Sequence, residues 1–161
     1  MNGIKRDFEL RAYREEDFTA CFSCFKEAIY ATCGKDYAPN ELIAWAEGAS
    51  RERMAASLVN SFSLVAVNKG TVIGFGNLVD GHYLDLLYVS PAFQKQGVAT
   101  AICDLLEANA LADIEVYASK TAYPFFAKRG YSPVRENIVE RNGAKLQNFL
   151  MEKPVLPKKP S

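Results

Sequence analysis

Leu84-Asp85-Leu86-Leu87-Tyr88-Val89-Ser90-Pro91-Ala92-Phe93-Gln94-Lys95-Gln96-Gly97-Val98-Ala99-Thr100 carries a change of period from strand to helix across a proline-bearing loop. The segment from Tyr83 to Val89 is largely apolar and fits a buried central strand. Ser90-Pro91 ends it, because proline cannot donate to a ladder and restricts the residue before it. From Gly97 the pattern is helical: Val98, Ala101, Ile102, Leu105 and Leu106 share a face. A strand thus feeds a helix whose start is small and rich in donors. The first N–H groups of a helix have no internal partner and point outward. Together with the helix dipole they bind phosphate. Gly97 removes the Cβ that would block a close approach, and Ala99 keeps the position two residues on small. Gln94, Lys95, Gln96, Val98 and Thr100 complete this candidate turn, Lys95 with a positive charge and Gln94 with a polar side chain. An ordinary strand–helix connection has the same spacing, so both readings stay open on this stretch alone.

Upstream, Phe8, Leu10 and Ala12 alternate with charged residues and predict a strand over about residues 7–13. Arg14-Glu15-Glu16-Asp17 opens a helix with acids at its positive end, running to about Thr32. Pro39 opens a second helix, through Glu47, which holds the only tryptophan, Trp45. Ser50 reads as the N-cap of a third, about 51–58. Ser63–Val67 and Thr71–Val79 are strands joined at Asn68-Lys69-Gly70, and Asp80-Gly81 is a second turn. Downstream, Asp113–Ala118 is a short strand and Thr121–Lys128 a short helix stopped by Gly130. Two strands at about 131–140 and 146–152 meet at Asn142-Gly143. The order β-ααα-βββ-α-β-α-ββ predicts a mixed sheet with helices on its faces, an α/β or α+β sandwich. Residues 1–153 read as one domain, and the Pro- and Lys-rich residues 154–161 as a flexible tail.

A chain of 161 residues falls in the range of a single domain. Nineteen basic residues balance nineteen acidic ones, which disfavours a phosphate-tracking nucleic-acid binder. No apolar run approaches the ~20 residues of a membrane span. The start, Met1-Asn2-Gly3-Ile4-Lys5-Arg6-Asp7, lacks the apolar core of a secretory signal, so the expected compartment is the cytosol. The four cysteines are expected as free thiols there. Cys21 and Cys24 form C-x-x-C, a spacing shared by redox and zinc sites. They recur with Phe18, Phe22, Phe25 and Ile29 at helical spacing, however, so they read as small apolar residues. Zinc needs about four ligands and no second pair exists, so no metal is expected. His82, the only histidine, follows a turn and reads as an exposed ring, with a place at the mouth of a site as the alternative. A P-loop is absent, and Gly74-Phe75-Gly76 lies inside a strand rather than at a strand–helix turn, which rejects a dinucleotide fingerprint.

Gln94-x-x-Gly97-x-Ala99, preceded by Leu-Tyr-Val-Ser-Pro, resembles the [QR]-x-x-G-x-[GA] acetyl-CoA motif of the GNAT N-acetyltransferase superfamily. Val116-Tyr117-Ala118-Ser119-Lys120-Thr121-Ala122-Tyr123-Pro124-Phe125-Phe126-Ala127-Lys128-Arg129-Gly130-Tyr131 resembles its second block, N-x-x-A-x-x-[LF]-Y-x-x-x-G-[FY]. The element order agrees from residue 7 to about 152. The resemblance implies a mixed, mostly antiparallel sheet with helices on both faces and a splay between the strands at 83–89 and 113–118. It implies acetyl-CoA in the splay, its pantetheine on backbone groups of Leu87, Tyr88 and Val89 and its pyrophosphate on the N–H groups of Gln94 to Thr100. Ser119, Phe125 and Phe126 fall beside the cofactor arm. An amine acceptor, a small molecule or a protein, would enter from the side of the helices at 15–58, where Tyr30, Tyr37 and Trp45 are candidate walls. A homodimer is compatible with the sequence and has no signature in it.

Two positions depart from the family pattern. Its asparagine falls on Ser119, whose hydroxyl is shorter, and its frequent tyrosine acid falls on Phe126, which cannot donate a proton. A thiol of pKa about 8.5 leaves as thiolate at pH 7 with a shortfall of roughly 2 kcal/mol. Stripping a lysine-like ammonium costs up to roughly 4.6 kcal/mol, so a base matters more than an acid. Binding two reactants in line supplies ~7–11 kcal/mol. Activity is therefore expected despite Phe126. Asp85, a charge in an apolar strand, is the candidate base or one half of a structural ion pair; Tyr83 lies on the same face. Tyr117 is a candidate replacement acid or a packing residue. The expected reaction is acetyl transfer by direct attack in a ternary complex. The alternatives are an acetyl-CoA-binding regulatory module without turnover, which Ser119 and Phe126 favour, and a thiol redox protein using Cys21 and Cys24.

Overall fold

A computed structural model describes residues 7–155. The expected tail lies outside the described residues except for Pro154 and Val155, and the Val155 N–H donates to Asp113 at 3.0 Å. The elements are β1 (Glu9–Ala12), α1 (Phe18–Thr32), α2 (Pro39–Gly48), α3 (Arg51–Val59), β2 (Phe62–Asn68), β3 (Thr71–Val79), β4 (Tyr83–Val89), α4 (Val98–Ala108), β5 (Ile114–Ser119), α5 (Tyr123–Lys128), β6 (Ser132–Arg141) and β7 (Ala144–Lys153). The strands form one sheet in the order β1-β2-β3-β4-β5-β7-β6. Every neighbouring pair is antiparallel except β4 with β5. No helix among the described residues is long and apolar enough to cross a membrane.

Each face of the sheet carries its own core. On one side α4 and α5 cover Ile73, Leu78, Leu84, Val89 and Met151. On the other, Cys21, Phe22, Phe25 and Ile29 of α1 and Leu42 and Leu58 of α2 and α3 pack against Val65 and Phe75. Cys21 and Cys24 sit within that second core, as their helical spacing predicts. Ser50 caps α3, its hydroxyl accepting the Arg53 N–H at 3.2 Å. His82 is exposed.

Two local expectations differ from what is observed. The segment from Arg14 does not open α1 directly: Glu15–Asp17 is a 3-10 turn and α1 starts at Phe18. Asp17 is buried, not an exposed acid at a helix end; it accepts both Arg11 guanidinium nitrogens at 2.8 and 2.9 Å and the Arg14 N–H at 2.8 Å. The Arg11 guanidinium holds this carboxyl below its ordinary range. A depressed carboxyl pKa contributes stability above the unfolded value, about 3.9, and loses it as pH falls through the folded value. Asp17→Asn is expected to lower unfolding free energy at pH 7 by about 1.5–3 kcal/mol, the range for hydrogen bonds to a charged group. Urea unfolding across pH checks it: the gap from wild type should shrink below about pH 4, and an undiminished gap in acid would contradict the assignment.

The second difference concerns β4. It is central in the sheet, yet only Leu84 and Val89 are buried. Its parallel pairing with β5 covers only Tyr83↔Glu115 and Leu84↔Val116. Beyond that point the two strands part, so Leu86, Leu87 and Tyr88 stay half-exposed along an unpaired edge.

Candidate active site

The turn after β4 is built to leave donors free. The Ser90 N–H donates to Ile73 at 2.7 Å and closes the strand. The Gln94 side-chain amide donates to the Val89 carbonyl at 2.7 Å, so that side chain buttresses the turn rather than reaching outward. Gln96 likewise donates to Ala92 at 3.3 Å. Lys95 (φ 61°) and Gly97 (φ 84°) are both left-handed, and such alternation aims successive N–H groups into one concavity. The first helical bond runs from the Ala101 N–H to the Gly97 carbonyl at 2.9 Å. Among the described residues, the N–H groups of Lys95 through Thr100 donate to no acceptor. A Cβ placed on Gly97 meets nothing within 4 Å, so the hollow is open. Val98 contributes only its N–H; its side chain is buried and anchors the helix start. Gly74 and Gly76 set the approach of α4. A Cβ on Gly74 would come within 2.9 Å of Val98, and one on Gly76 within 3.0 Å of Ile102.

The free edge of β4 faces the splay. Leu86 and Ser90 turn their N–H groups towards β3, bonding to the Asn77 side chain at 3.0 Å and to Ile73. By strand alternation Leu87 and Val89 turn their backbone groups into the splay. The Tyr88 backbone faces β3, and its contribution is its ring, which packs edge-on against Phe25 with centroids 4.9 Å apart.

On the α1–α3 face lies a cavity of about 650 Å³. It brings together Tyr83, Asp85 and Tyr117, the three candidate catalytic residues, with Tyr37, Trp45, Tyr88 and Ser119. A bulge makes this possible. The β3–β4 register passes from Asn77↔Leu86 to Leu78↔Leu84, leaving Asp85 as the extra residue. Asp85 and Leu86 therefore both line the cavity, where regular alternation would separate them. Asn77, fully buried, fills the interrupted ladder: its side-chain carbonyl accepts the Leu86 N–H, and its amide donates to the Ser57 hydroxyl at 2.9 Å. Ser57 in turn donates to the Asp85 carboxylate at 2.6 Å.

Asp85 is thus held by a hydroxyl, and no ion pair at it is found among the described residues. Burial, reinforced by the Asp85 charge, pushes the Tyr83 phenol up to about 12, so it keeps its proton at neutral pH and acts as a donor. Tyr117 stands edge-on to Tyr83 at 6.2 Å, with Arg135 3.5 Å from its hydroxyl. The Tyr37 hydroxyl is fully engaged, donating to the Gln147 carbonyl at 2.6 Å and accepting the Lys120 N–H at 3.0 Å. Burial first of all pushes its pKa up to about 12. Its ring meets Trp45 edge-on at 5.4 Å and forms a wall. Tyr30 does not join this wall; it lies exposed on α1 and donates to Glu47 at 2.8 Å.

Ser119 accepts the Ala122 N–H at 3.0 Å, which shapes the entry to α5. Phe126 is buried in the α4–α5 core between Phe125 and Tyr131, with ring centroids at 5.2 and 5.1 Å. It does not line the cavity, whereas Phe125 is half-buried at the core's margin. Burial pushes the Cys21, Cys24 and Cys103 thiols up to about 12, and Cys33 upward too. None is a thiolate nucleophile at neutral pH.

Sequence reasoning passed over Ser57, Asn77 and Arg53. Their signals were present. Ser50, Arg53, Met54 and Ser57 all line the cavity, at the i, i+3, i+4, i+7 spacing of one helix face. Asn77 is a lone amide in an otherwise apolar strand.

Comparison with known proteins bears on the family and the fold. Residues 33–153 match the family model described as acetyltransferase (GNAT) domain. The chain is 33% identical over 151 residues to YafP, an uncharacterised N-acetyltransferase of Escherichia coli (strain K12), covering 94% of this chain and 96% of that one. It superposes with a TM-score of 0.89 on the crystal structure of a GCN5-related N-acetyltransferase from Rhodopseudomonas palustris, at 33% identity and with 96% and 99% of the two chains covered. The PaiA N-acetyltransferase of Thermoplasma acidophilum, solved with coenzyme A, shares the fold at a TM-score of 0.68 and 19% identity, over 91% of this chain and 98% of that one.

Proposed function

Because this chain belongs to the GNAT N-acetyltransferase family and is an acetyl-CoA-dependent enzyme, we propose that it acetylates an amine by direct attack within a ternary complex. The observation that carries this reading is the splay itself. It leaves the β4 edge unpaired, with six free N–H groups at one end and a carboxylate-bearing cavity on the neighbouring face.

The residues fit acetyl-CoA, which supplies an acetyl group on a thiol leaving group. The hollow at Lys95–Thr100 matches a diphosphate in charge and shape, with a helix dipole behind it. Leu87 offers its backbone groups, and Val89 its N–H, to a pantetheine amide, the Val89 carbonyl being taken by Gln94. Asp85 receives the acceptor's ammonium and takes one proton from it, which frees the nitrogen lone pair and passes to water in the open cavity; the second N–H proton goes to water or to the departing thiolate as the N–C bond forms and the C–S bond breaks. Tyr83 keeps its own proton and donates a hydrogen bond to developing negative charge. Phe126 needs no replacement as an acid, since a thiol of pKa about 8.5 departs readily as thiolate.

Buried, protonated thiols favour direct attack over an acetylated-cysteine route. Initial rates of CoA release, varied in acetyl-CoA and amine, should therefore give intersecting rather than parallel double-reciprocal lines. Parallel lines, with an acetylated enzyme caught by mass spectrometry, would overturn the mechanism. Binding of acetyl-CoA without CoA release across a broad amine panel would instead support a regulatory module.

A further inference from the structure

Resting on that amine-acetylation reading, we propose that the acceptor is a small zwitterion of amino-acid type: a primary amine with a carboxylate on the neighbouring carbon and an apolar or aromatic side chain. The charges in the cavity carry this. Its lining contains one carboxylate, Asp85, and two guanidiniums, Arg53 and Arg141. The other arginines near acids are paired: Arg11 with Asp17 at 2.8 Å, and Arg129 with Asp104 and Glu107 at 2.8 Å each. Among the described residues neither Arg53 nor Arg141 has a carboxylate in ion-pairing range. Among the described residues the Arg141 guanidinium donates only to the adjacent Glu140 carbonyl at 3.0 Å, and the Arg53 side chain makes no hydrogen bond.

Placement supports the same ligand. Arg53 sits one turn before Ser57 on α3, about 6 Å along the axis, and Ser57 holds Asp85. Arg53 is also near enough to Tyr83 for its charge to act on the phenol. A single wall thus offers a carboxylate to an amine and a fork-shaped cation to a carboxylate, the pairing that guanidinium makes in two parallel bonds. Met54, Leu146 and the Tyr37–Trp45 pair supply the apolar surround. The far end is walled: a Cβ on Gly48 would lie 3.2 Å from the Asn142 side chain, so the β6–β7 turn rests on the end of α2. That closure favours a compact molecule over an extended peptide. Polycations meet two guanidiniums and one carboxylate, an unfavourable balance.

The test uses matched pairs that differ only by the carboxylate: L-phenylalanine with 2-phenylethylamine, and L-leucine with 3-methylbutylamine, beside spermidine. The full-length protein is assayed for CoA release, and binding of each compound is measured by calorimetry with CoA present. At least one amino acid should exceed its decarboxylated partner by about tenfold or more in kcat/KM and in affinity. Arg53→Gln should bring that ratio down about tenfold or more, towards one, as expected on losing a charged hydrogen bond, with Arg53→Lys intermediate. Preference for spermidine or the simple amines would overturn the proposal, as would ratios unmoved by Arg53→Gln and Arg141→Gln. If none of these compounds releases CoA while another amine of a broad panel does, the proposal is overturned and the catalytic reading stands; if no amine does, the catalytic reading fails and the calorimetric ratios decide the ligand class.

Discussion

Gly97→Glu is expected to weaken acetyl-CoA binding by a hundredfold or more while leaving a folded protein. The hollow offers a row of N–H groups with no protein acceptor, and a carboxylate grafted at its centre occupies the place of the diphosphate and repels it. Loss of two charge-assisted hydrogen bonds, each about 1.5–3 kcal/mol, corresponds to roughly two to four decades of affinity. The fold tolerates the change because a Cβ at this position meets nothing within 4 Å. The left-handed φ of 84° costs a non-glycine residue about 1–2 kcal/mol. Gly97→Ala carries that strain without the charge, so it should lose far less affinity. Thermal melting with CoA gives an independent reading: at 100 Kd a ligand stabilises by ~2.7 kcal/mol, a shift that wild type should show and Gly97→Glu should lack. Wild-type affinity in a folded Gly97→Glu protein would remove the diphosphate from this turn.

Asp85→Asn is expected to lower kcat/KM by about 10²–10⁴-fold, the usual range for a positioned proton acceptor, with acetyl-CoA affinity little changed. The substitution is nearly isosteric, and its side-chain carbonyl can still accept the Ser57 hydroxyl, so the Asn77–Ser57 chain survives. What disappears is the negative charge that receives the ammonium. Ser57→Ala should act more mildly and through position, since it frees the carboxylate to rotate without neutralising it. A rate within threefold of wild type for Asp85→Asn, in a protein that binds acetyl-CoA normally, would make Asp85 a structural residue.

The fold was legible because its signals are local. Periodicity in α1 and α4, the Asn68–Gly70 and Asn142-Gly143 turns, and the Ser50 cap each fix an element without reference to distant parts of the chain. The turn proposed to hold the diphosphate was legible for the same reason, since strand, proline, glycine and helix are consecutive. The neighbouring cavity was not. Its walls come from α1–α3 and β4–β7, and only the folded sheet brings Tyr37 to Gln147 or Ser57 to Asp85. Tyr30 shows the limit: an aromatic one helical face away from the cavity has the same spacing signature as one that lines it. Asp17 shows another, because a carboxylate near a helix start reads as a dipole partner until a guanidinium from the preceding strand claims it. Phe126 was placed in the right segment, but only packing reveals that its ring turns inward.

The bulge at Asp85 makes the chemistry of β4 depend on residue parity. Upstream of it, odd-numbered positions look into the cavity; downstream, even-numbered ones do. Removing one residue from the strand would swing the carboxylate or its tyrosine neighbour through the sheet into grease, however faithfully every other side chain were preserved.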